Sequence, residues 1–184
     1  MSVQHSAITA TADCHEPKGL PDITEAGKVY VSNGSGSGTW TTLSRYANMN
    51  ITAGATSLAL TATPVRYDPG TEWEAGPASG VTCTIADGTM TILETGVYIV
   101  SFWSTFNTGA ITAGAIYSFA PAIDGVVQAR AFSVQKLTGG VDRLLVSGSG
   151  LVSLTAAQVL SFYASSSAND TITPIEAGFT IHKV

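Results

Sequence analysis

From about Asn48 onward the chain is a succession of short apolar or alternating runs separated by turn residues. TSLALTA alternates Leu58, Leu60 and Ala62 with small or polar partners. GVTCTIA and GTMTILE flank Asp87-Gly88, and AIYSFAPAI and VVQARAFSV flank Asp124-Gly125. Both Asp-Gly pairs predict hairpin turns, because each residue tolerates a positive φ. GVYIVSFWSTF lies between these hairpins, and VDRLLVSGSG, LVSLTA, QVLSFYASS and AGFTIHKV complete the series. β-Branched and aromatic residues dominate, and no window shows a capped 3.6-residue apolar period. Short strands at this spacing predict an all-β sandwich or barrel. Within GVYIVSFW, strand alternation puts Val97, Ile99, Ser101 and Trp103 on one face and Tyr98, Val100, Phe102 and Ser104 on the other. Both faces carry large apolar groups, so the strand is expected either to pack the core on one side and meet a neighbouring subunit on the other, or to be covered on both sides within one chain.

Residues 1–46 read differently. They are polar, interrupted by Pro17, Pro21 and several glycines, and show no sustained periodicity. This pattern predicts an extended N-terminal arm over 1–46 with one small hairpin near 28–42, followed by a β domain over 47–184. In GKVYVSNGSGSGTW, Val29, Tyr30 and Val31 make a short strand, Asn33-Gly34 opens the turn and Trp40 anchors the return. A phosphate-cradling loop would need G-x-x-x-x-G-K-[ST] opening a helix, and this stretch has neither the lysine nor a helical continuation.

Composition sharpens the picture. Only 11% of the 184 residues are charged while 45% are hydrophobic, against a usual charged share of about 25%. A surface so poor in charge is expected to be covered in part by other subunits. The net charge of −5 and the lack of Lys/Arg clusters argue against nucleic-acid binding. The apolar runs fall short of the roughly 18 residues needed to cross a bilayer, so no membrane partner is expected. The first residues lack a basic segment followed by an apolar one, which predicts no secretory leader and synthesis in a cytoplasm. Cys14 and Cys83 are expected as two free thiols rather than a disulfide scaffold.

Candidate chemistry is sparse. His5, Cys14, His15 and His182 are the conceivable metal ligands, but no C-x-x-C or H-x-x-x-H spacing unites them, and no metal or cofactor is expected. Serines abound without a G-x-S-x-G elbow. The carboxylates Glu72/Glu74 and Glu94 with Asp87 resemble an acid–base pair only in number, and they read as solvated loop residues. No catalytic residue is assigned. Trp73, between two glutamates in the Pro/Gly-rich TEWEAGPASG, is read either as an exposed contact residue or as a ring tucked over the end of the sandwich.

Four segments in order resemble the C1q/TNF-like jelly rolls: TILETGVYIVSFWSTFN, IDGVVQARAF, GLVSLTAAQVLSFYASSS and IEAGFTIHKV. The resemblance covers roughly 48–184 and implies a jelly-roll β-sandwich that assembles as a homotrimer. It makes Val97, Tyr98, Ile99, Phe102, Trp103, Phe162 and Phe179 candidates for core and trimer packing, and it places Ser101 and the small residues 147–150 near the three-fold axis. HEPKGLPDITEAGKVYVSNGSGSGTW in turn resembles a segment of tailed-bacteriophage virion proteins. That likeness implies a capsid decoration (cement) protein on the outer surface of the virion. Its arm, with His15, Glu16, Pro17, Lys18, Tyr30 and Trp40, would bind the major capsid protein. The alternative is a head or tail fibre tip that joins tail or fibre proteins and recognises a host receptor.

Overall fold

Strands account for nearly all regular structure in the computed structural model. It describes residues 28–32, 38–42, 44–54, 56–68, 70, 72–108, 114–128, 133–136 and 144–184. The chain divides into two units, 1–43 and 44–184. In the first unit β1 (Lys28–Ser32) pairs antiparallel with β2 (Gly38–Thr42), setting Tyr30 opposite Trp40. Trp40 is half-buried. His15, Glu16, Pro17 and Lys18 lie outside the described residues.

The described residues of the second unit hold thirteen strands: β3 (Tyr46–Ile51), β4 (Leu58–Ala59), β5 (Val65–Arg66), β6 (Glu74–Ser79), β7 (Val81–Thr84), β8 (Thr89–Ile92), β9 (Gly96–Thr108), β10 (Ile116–Ile123), β11 (Val126–Val127), β12 (Ser133–Lys136), β13 (Leu144–Leu154), β14 (Val159–Ser166) and β15 (Thr171–Lys183). They form two antiparallel sheets. The first runs β11-β10-β14-β8-β7, with β12 added to β10 and β5 to β14; the second runs β13-β9-β15-β3-β6, with β4 added to β15. Among the described residues no helix is long and apolar enough to cross a membrane.

Alternation builds the core between the sheets. On β9, Tyr98, Val100, Phe102, Ser104 and Phe106 are buried. Phe102 stacks on Phe162 of the opposite sheet at 4.4 Å, and Phe179 meets Phe162 edge-on at 4.8 Å. Such aromatic pairs add about 0.5–1.5 kcal/mol each beyond the area they bury. On β15 the apolar parity changes midway, from Ile172 and Pro174 to Ala177, Phe179 and Ile181. A bulge between Pro174 and Glu176 absorbs the extra residue, so both halves point inward. It falls at the proline, which has no N–H to give the ladder.

The two Asp-Gly turns differ. Asp124 (φ 51°) and Gly125 (φ 78°) both take the left-handed region, and Ile123 pairs with Val126 in a two-residue hairpin. Asp124 Oδ1 also accepts the Val159 N–H at 2.9 Å. Between β7 and β8, Ile85–Asp87 form a 3-10 turn instead, and only Gly88 (φ 61°) is left-handed.

The TEWEAGPASG stretch is not a loop carrying an exposed ring. Trp73 is 2% exposed, while Glu74–Ser79 form the edge strand of the second sheet, where Pro77 interrupts no interior ladder. Glu72 is drawn aside by the Thr56 N–H and Oγ1, both 2.7 Å from its Oε1, and Glu74 points outward. The residue between them therefore turns inward. Gly88 makes room for it, since a Cβ there would meet the Trp73 indole.

Candidate association surface

The core-facing side of the second sheet is aromatic, and its other side is open. Register sets that open face in rows across the strands. Leu151, Ile99, His182 and Tyr46 form one row, and Ser149, Ser101, Thr180 and Asn48 the next. Ser147, Trp103, Gly178, Asn50 and Glu74 form a third, with Leu145, Thr105 and Glu176 beyond it. Val97 and Ser153 lie on the far side of the first row. Exposure runs from 38% for Tyr46 and Trp103 to 69% for Leu151, with Val97, Ile99 and Leu145 between. Six large apolar side chains thus face outward on one sheet. Among the described residues of these five strands, the formally charged groups on the face are Glu74 and Glu176, both towards one end.

Of the strand residues singled out in the sequence, Tyr98, Phe102, Phe162 and Phe179 enter the core, and Val97, Ile99 and Trp103 stand on the open face. Of the two arrangements open for β9, the structure shows a core side and an exposed side. Ser101 and Ser149 share a hydroxyl hydrogen bond of 2.8 Å at the centre of the face. Trp103 lies over Gly178, where any Cβ would collide with the indole. Leu145, Leu151, Tyr46 and His182 were not expected there. The signal for the leucines was present, since in LLVSGSGLVSL both share the parity of the intervening serines. The Ser-Gly repeat reads as a break, yet β13 passes through it unbroken, paired with β9 from Leu144↔Phe106 to Leu154↔Gly96.

An ion cluster closes one end of the sandwich. Glu94, before β9, accepts from Arg45 Nε at 2.5 Å and from Lys183 Nζ, and its backbone carbonyl accepts the Tyr98 hydroxyl at 2.6 Å. The Lys183 ammonium and then the Arg45 guanidinium hold the Glu94 carboxyl below the usual carboxylate range. Asp87 instead faces Arg66 at 3.6 Å, so the Glu94 and Asp87 carboxylates have separate cationic partners. Inside the sandwich Tyr117 donates to Asp170 Oδ2 at 2.6 Å, and Ser166 donates to the same oxygen at 3.1 Å. Burial, then Asp170, push the Tyr117 phenol up; burial does the same to Tyr67, whose hydroxyl lies 2.5 Å from Ser104 Oγ. These groups are buried and tie strands together. The Cys83 thiol, half-buried and pushed up by burial, lies 3.9 Å from the Asn48 carbonyl. Among the described residues no three His, Cys, Asp or Glu side chains gather as a metal-binding group.

No protein-family model and no curated protein sequence matches the chain. Solved structures do match in shape. Eiger TNF from S. frugiperda superposes with a TM-score of 0.52 at 14% identity, over 76% of this chain and 93% of that one. The globular domain of the zebrafish complement 1qA protein gives 0.49 at 13% identity, over 76% and 96%. At such identity the likeness to Eiger is one of fold. Together with the two antiparallel sheets, it identifies a C1q/TNF-like jelly roll.

Proposed function

We propose that the chain is a non-catalytic assembly protein, three copies of which associate through the open face of the second sheet. The observation that carries this reading is the row structure of that face. Six exposed apolar side chains surround neutral Ser, Thr and Asn rows, in a chain only 11% charged. Monomers rarely leave so large an apolar surface in water. Copies of one chain can cover it in a closed ring with no charged group buried at its centre. The resemblance of the domain to trimeric jelly rolls favours three.

The finer reading is capsid decoration in a tailed bacteriophage, with the arm as the attachment device. Its support is the string from His15 to Trp40, which resembles a segment of phage virion proteins. A trimer carrying three arms at a three-fold junction of capsid subunits would dissociate slowly even if each arm bound weakly.

One experiment addresses both levels. Sedimentation equilibrium at pH 8 is expected to give a trimer for the native chain and a monomer for Ile99→Asp, which places a carboxylate inside the face. On purified capsids the Ile99→Asp monomer is expected to bind about a hundredfold more weakly, through loss of multivalency. A monomeric native chain at pH 8 overturns the association surface. A trimer with no affinity for capsids overturns the decoration role alone.

A further inference from the structure

His182 stands in the most apolar row of the open face, between Ile99 on β9 and Tyr46 on β3, with Leu151 beyond Ile99. It is exposed in the single chain. Because its cross-strand neighbours on both sides belong to the apolar patch, a copy that covers Ile99 and Tyr46 also covers the imidazole. Histidine is the side chain that changes charge between about pH 5 and 8.

Among the described residues, the surroundings offer an imidazolium no uncommitted counter-charge. From β9, Val97, Ile99 and Ser101 carry no ionisable group, and the Tyr98 hydroxyl points inward to the Glu94 carbonyl. From the start of β3 come Tyr46 and Arg45, whose guanidinium is held by Glu94. On β15 itself Lys183 is likewise held by Glu94, so that carboxylate is already shared by two cations. Val184, two residues along from His182, has no ionisable side chain. The acids on the face are distant. Glu176 is six residues back along β15, about 20 Å, and Glu74 is four residues along and two strands across, about 17 Å. Both distances exceed a Debye length of about 8 Å at physiological salt.

We propose that His182 makes association through this face pH-sensitive: the assembled state accepts the neutral imidazole and excludes the protonated one. The proposal rests on the reading that copies of this chain cover the face. The sign follows from burial. Covering His182 disfavours its charged form, so the assembled state binds protons less readily than the free chain. Association is then fully present above the histidine range and weakens as pH falls through it.

The test is sedimentation equilibrium of the full chain at pH 8, 6.5 and 5.5, for the native protein, His182→Gln and His182→Lys. All three conditions lie above the carboxylate range, so Glu94 keeps its charge. The native trimer is expected to weaken between pH 8 and 5.5 by about tenfold or more per copy, as the covered imidazole takes up a proton. His182→Gln, neutral throughout, should hold the trimer equally well at all three values. His182→Lys should be weak at all three while keeping the native far-ultraviolet circular dichroism. A native trimer that is insensitive to pH, or a His182→Gln trimer that loosens as steeply as the native one, overturns the proposal and leaves the association surface standing. A native chain that is monomeric at pH 8 overturns both.

Discussion

Trp73 and Trp103 each lie against a glycine, with opposite consequences. At Gly88 the missing Cβ admits the Trp73 ring to the interior, where it is 2% exposed; at Gly178 it lets Trp103 lie against the sheet while staying 38% exposed. Neither side chain's fate follows from its type. Charge placement is equally local. Glu94 carries two cations, one from the start of β3 and one from the end of β15, and so joins distant parts of the chain. Its carboxyl is held below the usual range, so the folded state favours the ionised form. That contribution is fully present above the unfolded carboxylate value of about 4.3 and is lost as pH falls through the lowered folded value. Glu94→Gln is therefore expected to destabilise the fold at pH 7 by only about 0.5–1 kcal/mol, since the partners are partly exposed. The difference from the native protein should narrow on going from pH 7 to pH 3, which lies below the unfolded carboxylate value of about 4.3. Urea unfolding at both pH values and one protein concentration measures it, and an undiminished difference at pH 3 would show that packing, not charge, is at stake.

At the scale of elements, the sequence was most readable where alternation and turn chemistry agreed. The Asp124-Gly125 hairpin, the two faces of β9 and the second half of the final strand follow from local pattern alone. Elements whose identity depends on a neighbour were not legible. Glu74–Ser79 has the composition of a loop and becomes a strand because β3 offers it an edge. SGSG looks like a break and continues as strand because β9 pairs with it throughout. TSLALTA promised a longer strand than the two residues Leu58–Ala59 that pair with β15. The open face was half visible: Val97, Ile99 and Trp103 share a parity within one strand, whereas Leu145, Leu151, Tyr46 and His182 join them only through cross-strand register. Gly178 gives that face its shape, which makes it a test position. With ordinary strand backbone at residue 178, Gly178→Ala should keep the β-sheet spectrum, lift the Trp103 indole and cost about 1–3 kcal/mol. A red-shifted tryptophan emission together with a weaker trimer in sedimentation is the expected outcome. Unchanged association would show that Trp103 lies outside the contact.

At the scale of the whole molecule, the buried core among the described residues spans 47–181, within the second unit. If the domain assembles through its own sheet and the arm binds elsewhere, removing residues 1–26 should affect one property and spare the other. If the arm takes no part in the core, the truncated chain is expected to keep its thermal midpoint within about 2 °C. It should also sediment as the same trimer. On the reading that three arms attach the trimer, its occupancy on purified capsids should fall by about a hundredfold or more. The arm includes Lys18 and Glu16 in a chain otherwise poor in charge, so capsid binding by the full chain is expected to weaken with added salt. If the truncated trimer decorates capsids as fully as the native one, attachment belongs to the jelly roll, and its loops become the surface to mutate.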